Sequence, residues 1–218
     1  MAITDWATLK AAVQLYCARS DTTFGNAVGD FVSQAEDRIY NGVGEKGDPL
    51  YSEPLRPDAM VTRSTISMTS GEGTIPSSSL GVRTLSRLSD MVGLDPLSPD
   101  AFERRLAVPD TGNPRWYVVE GTNIRTAPSG YTGDFRILYY AKPTGISSSN
   151  TTNAVLTAHP NIYLFGTLFH AFTFLQNCDA ANGHLQHFRS LVSGANRTQK
   201  ANRRAGKTQS RARVRIGS

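Results

Sequence analysis

Cysteine is almost missing from this chain: Cys17 and Cys178 are the two among 218 residues. Two cysteines make no disulfide framework, and both fall in helix-like segments, so the expectation is free, buried thiols and a fold stabilised by its core. Long hydrophobic runs are missing as well. The most apolar stretch, Asn161 to Gln176, is too short and too interrupted to cross a bilayer. The opening Met1-Ala-Ile-Thr-Asp-Trp-Ala has neither a basic segment nor an apolar one, which excludes a signal peptide. A soluble protein made in a cytoplasm is expected, and the sequons at Asn150 and Asn196 then carry no meaning.

Acidic and aromatic residues are both absent from the final 22 positions, where eight cations lie: Arg197, Lys200, Arg203, Arg204, Lys207, Arg211, Arg213 and Arg215. Residues 1–196 hold the remaining fifteen basic residues against eighteen acidic ones, a net charge of −3. The overall charge of +5 and the isoelectric point of about 9.4 are therefore properties of the tail. Such a distribution points to a nucleic acid or an acidic protein surface as partner. Without aromatics, the tail has nothing on which to stack single-stranded bases.

Catalytic constellations are missing too. Ala205-Gly-Lys-Thr resembles the end of a phosphate-binding loop, but the glycine required five positions before Gly206 is Ala201, and no strand precedes it. Cys178, His184 and His187 lack a fourth metal ligand and a second metal-type spacing. His170 lies inside an apolar helix and reads as a partnered interior or interface histidine. The serines sit in loops without a nucleophile elbow. No catalytic residue, metal or cofactor is expected, and the chain does not read as an enzyme.

What is present is a change of hydrophobic period along the chain. Asp5 caps a first helix carrying Trp6, Leu9, Val13 and Tyr16, and Ser20-Asp-Thr-Thr breaks it. A second helix, Asn26 to Asn41, sets Val28, Phe31, Val32, Ala35 and Ile39 in a stripe. Alternation then marks strands at Thr65–Thr69, Arg83–Leu88 and Asp134–Tyr140, and a hairpin joins Trp116–Glu120 to Asn123–Ala127. Ser98-Pro99 opens a short helix through Leu106. Helical spacing returns with a turn at Asn153–Ala158, a helix from Asn161 to Asn177 with Ile162, Phe165, Phe169, Phe172 and Leu175 along one side, and a last helix from about Asp179 through Leu185, Phe188, Leu191 and Val192. The fold class expected is α+β: a helical bundle from both chain ends (residues 1–57 and 143–196), an inserted small antiparallel β domain (58–142), and an extended basic C-terminal arm (197–218).

Tyr139-Tyr-Ala-Lys-Pro, a serine-rich linker, Asn150-Thr-Thr-Asn-Ala-Val-Leu and His159-Pro-Asn-Ile-Tyr-Leu-Phe-Gly follow one another in that order. This series resembles the C-terminal half of tailed-bacteriophage head-to-tail adaptor (connector, or head completion) proteins, which carry a paired tyrosine, an asparagine loop and a His-Pro-Asp-Leu-Tyr helix start. Phe31-Val-Ser-Gln-Ala-Glu-Asp-Arg-Ile and Tyr117-Val-Val-Glu-Gly-Thr-Asn-Ile are similar to that family's second helix and central hairpin. The resemblance touches most of residues 25–177, with about 40 matching closely; Ala154 replaces a common aromatic and Asn161 replaces the aspartate.

The resemblance implies a structural virion protein of the neck, made in the host cytoplasm. It implies a dodecameric ring beneath the portal that extends the DNA channel and carries the tail platform, with portal, a downstream tail or nozzle protein and passing double-stranded DNA as partners, and C-terminal segments docked on the portal. In this sequence Arg211-Ala-Arg-Val-Arg-Ile alternates at period two, as an edge strand added to a partner sheet would. Arg211, Arg213, Val214, Arg215 and Ile216 are accordingly the expected portal-binding residues. Arg197, Lys200, Arg203, Arg204 and Lys207 are expected to face the DNA channel or the portal, with 197–207 staying helical. The alternatives are a free-standing DNA-binding protein using the basic arm, a hydrolase, or a merely solvated tail.

Overall fold

The computed structural model describes residues 2–107 and 112–211, with residues 202–211 described by their backbone alone. The fold is α+β, with six helices and a seven-stranded mixed sheet among the described residues. The chain divides into two compact units, Met1–Met60 with Pro143–Ser218, and Val61–Lys142.

The first unit holds α1 (Trp6–Tyr16), α2 (Thr22–Asn41), α4 (Ala154–Ala158), α5 (Pro160–Phe174) and α6 (Cys178–Arg211). Local chemistry explains where the helices begin. Asp5 accepts the Thr8 amide at 2.8 Å while the Thr8 hydroxyl accepts the Asp5 amide at 3.0 Å, a reciprocal cap on α1. Asp21 accepts the Phe24 amide at 2.9 Å, and α2 therefore starts four residues before the expected Asn26. Asn153 caps α4 by accepting the Val155 and Leu156 amides. Gly42 ends α2 at a φ of +70°, where a Cβ would lie 2.7 Å from the Ser52 carbonyl oxygen, so only glycine fits.

Helix α5 packs against α1, α2, α4 and α6. It buries Ile162, Tyr163, Leu164, Leu168, Phe169 and Ala171 around its circumference, and this corrects the one-sided apolar face expected for it. A helix apolar all round belongs inside, and that is where α5 lies. Phe165 and Phe172 are half-buried only, while Phe174 is exposed. At Gly166 a Cβ would meet Phe188 at 3.2 Å and Ala35 at 3.3 Å, so the missing side chain lets α2 and α6 close on α5. Helix α6 is 34 residues long and continues through Arg211 without a break. The arm is thus helical from 197 to 211, four residues beyond the 197–207 expected to stay helical, and its extended part does not begin before 212.

The second unit is the sheet of β1 (Val61–Met68), β2 (Glu72–Thr74), β3 (Ser79–Arg87), β4 (Gly93–Pro96), β5 (Trp116–Glu120), β6 (Asn123–Ala127) and β7 (Gly133–Ala141), with α3 (Pro99–Leu106) between β4 and β5. The strand order is β1-β7-β3-β4-β5-β6-β2. The end strands β1 and β2 are also joined by a two-residue turn closed by Thr69 and Glu72, so the sheet curls until its ends meet. Inside lie Ile66, Met68, Leu85, Leu94, Tyr117, Ile124, Phe135, Ile137 and Tyr139, the inward members of alternating strands. Phe102 of α3 packs on Val118 and Ala127. The domain is not purely antiparallel: β4 and β5 pair in parallel at Asp95–Trp116 and Pro96–Tyr117. The physical reason is the α3 crossover, which returns the chain to the same end of the sheet before β5 begins.

Candidate interface

The residues that carry the resemblance meet in one buried polar clamp within the helical unit. The Tyr163 hydroxyl donates to Glu36 Oε1 at 3.0 Å, and the Ile146 amide donates to the same oxygen at 2.9 Å. The Tyr40 and Tyr163 hydroxyls are 2.7 Å apart, and Asn153 Nδ2 donates to Tyr163 at 2.8 Å and to the Thr144 carbonyl at 3.1 Å. Burial pushes the Tyr40 phenol up to about 12 and the Tyr163 phenol higher still, so both keep their protons and act as donors. A Cβ on Gly145 would lie 2.6 Å from Glu36 Oε2, so the chain passes this carboxylate as closely as only glycine allows. Every group here has a partner, and the clamp fixes the 144–153 loop to α2 and α5. Its role is architectural. Sequence reasoning missed it; the available signal was Glu36, a charge set among the apolar positions Val32, Ala35 and Ile39.

The histidines do not converge on a metal. Cys178 is exposed, His184 stacks on Phe172 with ring centroids 4.9 Å apart, and His187 lies against Phe165 at 5.2 Å. No group of three metal-type side chains occurs among the described residues. The Nε2 of His170 is buried and has no hydrogen-bond partner among the described residues, and the ring lies edge-on to Phe169. Burial, with nearby Arg38, pushes its pKa down to about 4, so it is neutral at pH 7. Arg38 is buried over the Phe169 ring at 4.8 Å and donates to the Leu50 carbonyl at 2.9 Å, while Arg189 donates to the Pro49 carbonyl. These two arginines pin the 49–52 loop. Cys17 is half-buried, and burial pushes its thiol up to about 11, away from reactivity.

Of the channel- or portal-facing cations expected from sequence, Arg197 and Lys200 are exposed on α6, and Arg203, Arg204 and Lys207 occupy its continuation. Arg211 is the last residue of α6; Arg213, Val214, Arg215 and Ile216 lie outside the described residues. The Ala205-Gly-Lys-Thr tetrapeptide is inside this helix, whereas a phosphate-binding loop needs non-helical backbone after a strand. No helix among the described residues is long and apolar enough to cross a membrane.

The model of one family, SU10 adaptor protein, matches residues 4–215. The chain belongs to the SU10 adaptor protein family. This is a phage head-to-tail adaptor family, and the match extends well beyond the 25–177 region in which the resemblance was legible. It takes in both units and nearly all of the basic C-terminal segment. The protein's role is accordingly that of a structural adaptor of the phage head–tail junction. No curated protein matches the chain significantly.

Proposed function

We propose that this adaptor forms a ring beneath the portal, extends the channel through which DNA is packaged and ejected, and carries the tail platform below. The observation that supports this reading most is the family match over residues 4–215. The work is done by interfaces and needs no catalytic residue, cofactor or metal. In this reading residues 1–57 and 143–196 act as a helical bundle that builds the ring wall, 58–142 is an inserted β domain, and 197–218 is the arm. Ring closure calls for two different faces on each copy. Large apolar side chains left in solvent on the helical unit, Leu15, Tyr16, Leu50 and Phe174, suit such contacts. A twelve-fold ring is the stoichiometry the resemblance implies.

The portal anchor is assigned to Arg213, Val214, Arg215 and Ile216, whose alternation suits strand addition to a partner sheet; Arg211, expected with them, ends α6 instead. Deleting residues 208–218 and mixing the protein with purified portal tests this. The truncated protein should fold and fail to attach, as seen by mass and by images of the neck. Full attachment by the truncated protein would refute the anchor. A chain that stays monomeric with isolated portal would instead favour the free-standing DNA-binding reading.

A further inference from the structure

Helix α6 changes character at Asn196. Up to that point it buries Ala181, Leu185, Phe188, Val192 and Asn196, positions that recur along one face. Asn196 closes this face: its Oδ1 accepts the Arg56 amide and its Nδ2 donates to the Pro54 carbonyl, both at 2.9 Å. The next positions along the same face are Gln199, Arg203, Gly206 and Ser210, none with an apolar side chain to bury. The helix nonetheless continues to Arg211.

Along this continuation the cations are not scattered. Positions 197, 200, 204, 207 and 211 follow one another at spacings of three or four residues. At about 100° per residue they fall within an arc of about 80°, turned roughly 100° from the packed face, and they span about 21 Å of helix axis. Arg203 falls outside this arc. No acidic residue lies between 197 and 211 to balance the stripe. Four successive like-charge neighbours at helical contact spacing repel one another, and a bound polyanion relieves that repulsion.

We infer that this face of α6 binds the phosphate backbone of duplex DNA, without reading sequence. A protein surface is the poorer fit. Stable protein contacts are anchored by buried aromatic or aliphatic side chains, and residues 197–211 contain none larger than alanine. A phosphate backbone asks for cations and small polar donors; the stripe supplies the former, and Thr208, about 20° beyond its edge, adds a hydroxyl. With no aromatic present, base stacking on a single strand is not served. About 21 Å is the axial length of roughly six phosphates of one strand, comparable with the length of the stripe. That this duplex is the genome in the channel rests on the adaptor reading; the binding itself does not.

The test uses the full chain and a labelled 30-base-pair duplex of arbitrary sequence, followed by fluorescence anisotropy at several salt concentrations. The logarithm of affinity should fall with the logarithm of salt with a slope of about −4 to −5, about 0.9 for each stripe cation. Arg204→Gln should shallow the slope by about 0.9, and Lys200→Gln with Arg204→Gln and Lys207→Gln by about 2.7. Arg203→Gln should change it little. Equal losses for Arg203→Gln and Arg204→Gln would overturn the helical face in favour of a diffuse polycation. Tighter binding of a single strand, equal binding of a polyglutamate of matched charge, or no duplex binding at about 50 mM salt would overturn the proposal outright. Far-ultraviolet circular dichroism on each variant should be unchanged, since glutamine is about as good a helix former as lysine or arginine. Portal attachment is read separately with the 208–218 deletion, so failure here and failure of the adaptor reading give different results.

Discussion

The two parts of α6 are one helix with two energetic bases. From Cys178 to Asn196 the helix is held by what it buries against α5, with Phe188 fully enclosed beneath Gly166. From Arg197 to Arg211 it carries no apolar stripe, and Arg197, Thr198, Lys200 and Ala201 are exposed. Most helical stability in proteins comes from packing an amphipathic face, so the second part inherits its nucleus from the first and adds charge instead of burial. A helix can thus be extended beyond its core to present a surface, provided the core part is secure.

Phe188→Ala should give the largest effect. Removing a fully buried ring from the packed half should cost about 3–5 kcal/mol, read from chemical denaturation, whereas Lys200→Ala in the projecting half should cost under about 0.5 kcal/mol. Similar costs for the two would erase the contrast. Tyr163→Phe should rank next, at about 1–3 kcal/mol, because Glu36 and Asn153 lose a buried hydrogen-bond partner while the ring's volume is kept. Asn196→Ala should cost about 1–2 kcal/mol by freeing the Arg56 amide and the Pro54 carbonyl at the boundary between the two parts. Hydrogen exchange should then show fraying that begins before residue 196 instead of after it.

A smaller, pH-dependent effect belongs to the packed side alone. The pKa of His170 is depressed from 6.5 to about 4, so its neutral form is the one compatible with the fold. Its contribution is complete above about pH 6.5 and is lost as pH falls toward 4, because the unfolded chain takes up the proton first. His170→Gln should flatten the acid limb of the stability profile over that window.

Legibility followed the range of the interactions. The cap at Asp5, the Ser98-Pro99 start of α3, the Gly121-Thr122 hairpin and the alternation of Phe135, Ile137 and Tyr139 are contacts between near neighbours, and they stand in the structure where the residues place them. The start of α2 was missed by four residues because Thr22 and Thr23 were read as breakers, whereas Asp21 before them is a cap. Strands β2 and β4, three and four residues long, are too short to show a period and exist only because longer neighbours pair with them. The resemblance was legible in the motif from Tyr139 onward, but what its residues do was not: Asn153 and Tyr163 meet Glu36 and Tyr40 from more than a hundred positions away.

The amino-acid order alone decided helix caps, strand alternation, the charge asymmetry and the cationic spacing from 197 to 211, since each depends on residues within a turn or two of one another. Only the tertiary structure decided that α5 is enclosed on all sides, that β4 and β5 run parallel, that a buried carboxylate organises the 144–153 loop, and that α6 passes its last core contact at Asn196 without stopping. These depend on which distant surfaces exclude water together, and burial is a property of the assembled neighbours, not of any one segment.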